Sequence, residues 1–159
     1  MTRPDCKPLS IGILFLLPLL TALAVPAGAA PTEFDWRIGV LNGSLLYACR
    51  YFMARGHWQI YNWASRRRRD VSGQYETLAV ADAPKAVVQM AVKAAGLMGD
   101  GFYGVDLKEL DGKPVVIEIN DNPSVESGVE DKVLGHALYD AVIAALRRRV
   151  EARRERDKP

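Results

Sequence analysis

The sequence predicts an α+β domain, an antiparallel sheet with helices packed on one face. Two observations carry that expectation. Asn42-Gly43 and Asp111-Gly112 each lie between apolar runs, and such pairs close tight β-hairpins. After each hairpin comes a segment with apolar residues at helical spacing, Val87 to Ala95 and then Leu134 to Leu146. A β-β-α-β-β-α order lets the strands pair with one another and bury one face under the helices.

Each element follows from local chemistry. Trp36 to Leu41 reads as a strand, Asn42-Gly43-Ser44 as a turn, and Leu45 to Met53 as a second strand. Gly56 to Asp70 is aromatic, then basic, and predicts no regular element. Asp82 is expected as an N-cap with Pro84 in the first helical turn. That helix runs through Val87, Val88, Met90, Ala91, Ala94 and Ala95 and stops at Gly96 or Gly99. Gly101 to Asn120 forms the second hairpin, and Asp121 to Val129 is a Pro-containing loop. The last helix is expected from about Glu130 to Arg149, burying Leu134, Ala137, Leu138, Ala141, Val142, Ala145 and Leu146.

Composition excludes several classes. The 159 residues suit one compact domain, and 21 basic against 19 acidic residues give no reason to expect a nucleic-acid partner. Cys6 and Cys49 make neither a disulfide framework nor a zinc pair. No P-loop, Gly-x-Ser-x-Gly or His-Glu-x-x-His motif is present.

The first thirty residues stand apart from the domain. No charge occurs between Lys7 and Glu33, and Ile11 to Val25 is apolar. Arg3 and Lys7 before this run, and Ala27-Gly28-Ala29 after it, have the pattern of a secretory signal peptide. A stable membrane span is not expected, because ~20 apolar residues are needed and Pro18 interrupts the run. The competing reading is an artefactual start or frame disruption joined at Pro31. The protein is then cytoplasmic, whereas a genuine signal peptide implies export. The expected division is residues 1–30, a domain at 31–147, and a charged helix end or tail at 148–159.

The second hairpin carries the candidate chemistry. Val105 and Leu107 alternate with Asp106 and Lys108, and Val115, Ile117 and Ile119 alternate with Val116, Glu118 and Asn120. A two-residue Asp111-Gly112 loop would set Val105 opposite Glu118 and bury a carboxylate against the core. A three-residue loop, Leu110-Asp111-Gly112 with a bulge, sets Val105 opposite Ile117 and Leu107 opposite Val115. The hydrophobic pattern therefore predicts the three-residue loop, with Asp106, Glu118 and Asn120 on one face. Two carboxylates and an amide carbonyl, with positions left for water and phosphate, suit Mg²⁺. The plainer reading of the same face is ordinary solvation of a half-buried sheet.

The run Gly101-Phe-Tyr-Gly-Val-Asp-Leu, followed by Val116-Ile-Glu-Ile-Asn-Asp-Asn-Pro, resembles the C-terminal lobe of ATP-grasp ligases, and within them the RimK-like family. The likeness runs from about Pro31 to Arg147. It implies that Asp106, Glu118 and Asn120 hold two magnesium ions against the phosphates of ATP. Asp35-Trp-Arg-Ile-Gly-Val-Leu and Ala48-Cys-Arg-Tyr resemble the family's paired strands. Arg37 and Arg50 would then face the phosphates or an acyl-phosphate intermediate, with Arg50 catalytic, and Asn122 would begin the loop beside the acceptor substrate.

The implied reaction is carboxylate–amine ligation. ATP phosphorylates a carboxylate, an amine attacks the acyl phosphate, and an amide or peptide bond forms with release of ADP and phosphate. Substrates would be amino-acid or peptide-like, with glutamate an amine donor by analogy. The lysines and hinge that grip the nucleotide in this family precede the part matched here. The resemblance therefore implies a truncated lobe, inactive alone. The reading from another class is a small exported binding or structural domain without catalysis.

The remaining features read plainly. Arg66 to Arg69, with Trp58, Tyr61 and Trp63 upstream, could neutralise and stack on a nucleic acid, but the near-neutral charge favours a solvated loop. His57 could act as a general base, yet no partner is identifiable from the sequence. Cys49 on its apolar strand is expected as a small core residue.

Overall fold

A computed structural model describes residues 32–57, 59–62, 64–66 and 71–158. The apolar segment 1–30, its junction at residue 31, Trp58, Trp63 and arginines 67–69 lie outside the described residues. The elements are β1 (Phe34–Leu41), β2 (Ser44–Phe52), β3 (Tyr75–Leu78), α1 (Lys85–Met98), β4 (Phe102–Leu110), β5 (Lys113–Asn120) and α2 (His136–Arg156). The strands form one antiparallel sheet in the order β3-β2-β1-β4-β5. The expected α+β class holds. The short edge strand β3 was not expected, because its four residues, Tyr-Glu-Thr-Leu, show no sustained alternation.

Both hairpins close with two-residue turns. Leu41 pairs with Ser44 across Asn42 (φ 48°) and Gly43 (φ 74°), and Leu110 pairs with Lys113 across Asp111 (φ 51°) and Gly112 (φ 72°). Left-handed backbone at both central positions matches the twist of the flanking strands, and Asn, Asp and Gly tolerate it best. The second turn corrects the three-residue loop expected above. The irregularity lies instead inside the β4–β5 ladder. Leu107 pairs with Val116 and Asp106 with Glu118, which leaves Ile117 as the extra residue. The bulge removes the conflict between Val105 and Glu118, and Val105 now faces Ile119.

One sheet face carries Trp36, Ile38, Val40, Ala48, Val105 and Leu107, packed under Val87, Ala91, Ala94 and Ala95 of α1. The alanines present little bulk at this interface, and each fully buried Val, Leu or Ile contributes about 1.5–3 kcal/mol. Asp82 does not cap α1. It closes a short 3₁₀ turn, Val80–Asp82, and Pro84 stands immediately before the helix, which ends at Gly99. Gly96 lies within α1.

Helix α2 starts six residues later than expected and continues to Arg156. Leu138 and Ala145 are its buried residues, while Leu146 is 48% exposed. The first turns of α2 pack beside Tyr47 and Cys49, which alternate with Ala48 along β2. The one-face arrangement therefore describes α1, and the start of α2 lies against the opposite side. Among the described residues, no helix is long and apolar enough to cross a membrane.

Candidate functional site

The face opposite α1 gathers the polar side chains. Arg37 on β1 stands across from Asp106 on β4, which stands across from Glu118 on β5. Asn120 faces Gly104 one pleat further along the same side. The structure thus brings Asp106, Glu118 and Asn120 to one face, by way of the bulge at Ile117.

Arg37 grips Asp106 with a two-pronged contact, Nε donating to Oδ1 at 2.9 Å and Nη2 to Oδ2 at 2.8 Å. Both side chains are mostly shielded, at 27% and 20% exposure. The hydrogen bond to Asp106 holds the guanidinium still more firmly in its charged form, against the opposing cost of burial. The Tyr51 ring lies 5.2 Å from the same guanidinium. Glu118 is exposed. Asn120 Oδ1 accepts the backbone N–H of Asn122 at 2.8 Å. Asn122 itself is exposed, so at this point its main chain rather than its amide does the bonding.

A second ion pair lies along the same face. Lys108 is 1% exposed, and its Nζ donates to Asp35 Oδ1 at 2.7 Å and Thr32 Oγ1 at 2.8 Å. Its position two residues from Asp106 on an alternating strand was the sequence signal for it. Glu130 was missed altogether. It is 1% exposed, accepts the Tyr51 hydroxyl on Oε1, and accepts the Glu126 N–H on Oε2 at 2.8 Å. No local pattern distinguishes that glutamate from others in an acidic loop.

Arg50 is a correction. Its cross-strand partner is Trp36, not Arg37, so it projects to the α1 side. There its guanidinium stacks over Trp36 at 4.8 Å and Phe34 at 5.0 Å and pairs with Glu76 at 3.3 Å. Arg37 opposes Cys49, and the two-residue period of a strand sends Arg50 the other way. The two arginines therefore do not converge on one phosphate-facing surface.

Cys49 is buried, as expected, with Sγ 3.5 Å from Thr77 Oγ1. Burial pushes its thiol up to about 11. The Tyr47 and Tyr51 hydroxyls are also shifted upward, chiefly by burial. His57 Nδ1 accepts the Gln59 N–H at 3.1 Å.

The donor set fits a small hard cation. Among the described residues, no group of three or more His, Cys, Asp or Glu side chains could hold a metal by itself. Two opposed carboxylates with an adjacent amide leave several positions to water and phosphate, as Mg²⁺ prefers and structural zinc does not. Asp106 keeps free lone pairs beyond those taken by Arg37.

No family model matches the sequence, and no curated protein matches it. Solved structures do. D-alanine–D-alanine ligase from Bacillus anthracis is 18% identical and aligns over 77% of this chain and 42% of its own, with a TM-score of 0.54. The same ligase complexed with ATP aligns over 77% and 43% at 19% identity, also with a TM-score of 0.54. ATP-grasp ligase PsnB complexed with a minimal precursor aligns over 74% and 35% at 23% identity, with a TM-score of 0.50. The chain thus spans between 35% and 43% of the length of these ligases. The likeness is one of fold: the five-stranded antiparallel sheet with its two helices is similar to part of an ATP-grasp ligase.

Proposed function

We propose that this chain supplies the metal- and phosphate-facing surface of a RimK-like, ATP-dependent carboxylate–amine ligase. The observation that carries the reading is the Asp106–Glu118 cross-strand pair with Arg37 fastened to Asp106, within a fold shared with ATP-grasp ligases. One of those ligases was solved with ATP bound. In this reading Asp106, Glu118 and Asn120 hold Mg²⁺, which supplies neutralisation of charge on the transferred phosphoryl group. Arg37 holds Asp106 in place and offers its remaining N–H groups to phosphate oxygens. Asn122 begins the loop beside the acceptor. The substrates are a carboxylate and an amine of amino-acid or peptide type, joined through an acyl phosphate. Groups that grip adenine are needed in addition to the residues described, and the chain alone is expected not to turn over. Use of ATP favours the cytoplasm, the setting expected if the N-terminal segment is artefactual, over export.

Calorimetric titration of ATP in the presence of Mg²⁺ into the full chain, Asp106→Asn and Glu118→Gln tests the assignment. Weak binding that depends on Mg²⁺ and falls further in both variants is expected, since groups that grip adenine are not among these residues. Equal affinity in all three proteins would remove it.

A further inference from the structure

We propose that Tyr51 and Glu130 are positioning residues for the Asp106–Glu118–Asn120 face, an inference that rests on the metal and phosphate reading above. The two-pronged contact with Asp106 fixes one edge of the Arg37 guanidinium, and the Tyr51 ring, 5.2 Å from it, limits the orientations left to the fork. Tyr51 is in turn held at its far end, where the hydroxyl donates to Glu130 Oε1. The other oxygen of Glu130 accepts the Glu126 N–H at 2.8 Å, so one buried carboxylate ties strand β2 to the loop after β5.

That loop returns to the same face. It leaves the sheet at Asn120, whose Oδ1 accepts the Asn122 N–H at 2.8 Å, and Pro123 then lies over Gly104. A second tie runs beside Glu130, because Thr77 Oγ1 donates to the Val129 carbonyl at 2.6 Å. Contacts therefore run from Asp106 through Arg37 and Tyr51 to Glu130, and Glu130 holds at Glu126 the same loop whose start, at Asn122, bonds Asn120. Glu130 sits where its loss frees both the ring that braces Arg37 and the loop that orients Asn120.

The test uses the full ¹⁵N-labelled chain. Solvent exchange of the Arg37 Nε–H reports the contact with Asp106, and Mn²⁺ alone, titrated by electron paramagnetic resonance, reports the face. Tyr51→Phe keeps the ring and the apolar packing but loses the hydroxyl. It should speed Arg37 Nε–H exchange about three- to tenfold and weaken Mn²⁺ binding about tenfold. Glu130→Ala should do the same. Glu130→Gln should restore both, since its carbonyl can accept the Glu126 N–H while its amide donates to the Tyr51 oxygen. Wild-type Arg37 exchange in folded Tyr51→Phe overturns the proposal, and that variant decides alone if Glu130→Ala does not fold. Absence of Mn²⁺ binding in the wild type would instead strike the metal reading, with the Arg37 signal still reporting whether the coupling exists.

Discussion

Arg37 and Asp106, on adjacent strands, are joined through both carboxylate oxygens at 2.9 and 2.8 Å, at the centre of the sheet face that carries Glu118. Arg37→Ala leaves a largely shielded carboxylate without its partner, and should cost about 1–3 kcal/mol of stability. Arg37→Lys should recover only part of the loss, because an ammonium cannot reproduce the fork. Urea unfolding of the three proteins measures both effects, and equal midpoints for wild type and Arg37→Ala would refute the contribution.

Gly39 is a contact position rather than a turn. A Cβ there would sit 2.3 Å from the Tyr47 ring, which is 2% exposed and has no room to swing away. Gly39→Ala should therefore destabilise by about 1–3 kcal/mol. Adding Tyr47→Leu should recover part of that loss, as read from thermal unfolding of the single and double variants.

Gly104 makes the corresponding contact next to the candidate ligands. A Cβ there would lie 2.9 Å from Pro123 Cβ. Gly104→Ala should push the start of the loop off the sheet and speed amide exchange of Asn122, whose N–H is held by Asn120. Exchange in the α1-facing residues Val105 and Leu107 should stay unchanged.

Alkaline pH should weaken the fold through Cys49. Its thiol is raised by burial from 9.0 to about 11, so the folded state prefers the protonated form. That contribution is complete below pH 9.0 and is lost as pH rises through about 11. Tyr47 and Tyr51, also raised by burial, act in the same direction at higher pH. Urea stability should fall across this window, and less steeply in Cys49→Ala.

Periodicity and turn chemistry alone predict most of the architecture. Asn42-Gly43 and Asp111-Gly112 mark their turns because few other pairs accept left-handed backbone at both positions. Val105 and Leu107 mark the buried side of β4 because an apolar face must be covered. Strand β3 and the late start of α2 were not readable in the same way. Four residues at a sheet edge leave little pattern, and the turns before His136 carry apolar residues at spacing that mimics a helix.

In the sequence by itself, alternation along β4 and β5 was enough to put Asp106, Glu118 and Asn120 on one side of the sheet, though in a register that would also bury Ile117, which is 37% exposed. It could not locate the bulge: a shift at the turn would bury Val115 and Ile117 opposite Leu107 and Val105, whereas the ladder pairs Leu107 with Val116 and Val105 with Ile119 and leaves Ile117 exposed. Nor could it separate Arg50 from Arg37 without the register of β1 on β2. Glu130 lies furthest from local pattern. Its partner Tyr51 is distant in the chain, and a carboxylate becomes buried only when a returning loop supplies the donors that replace water.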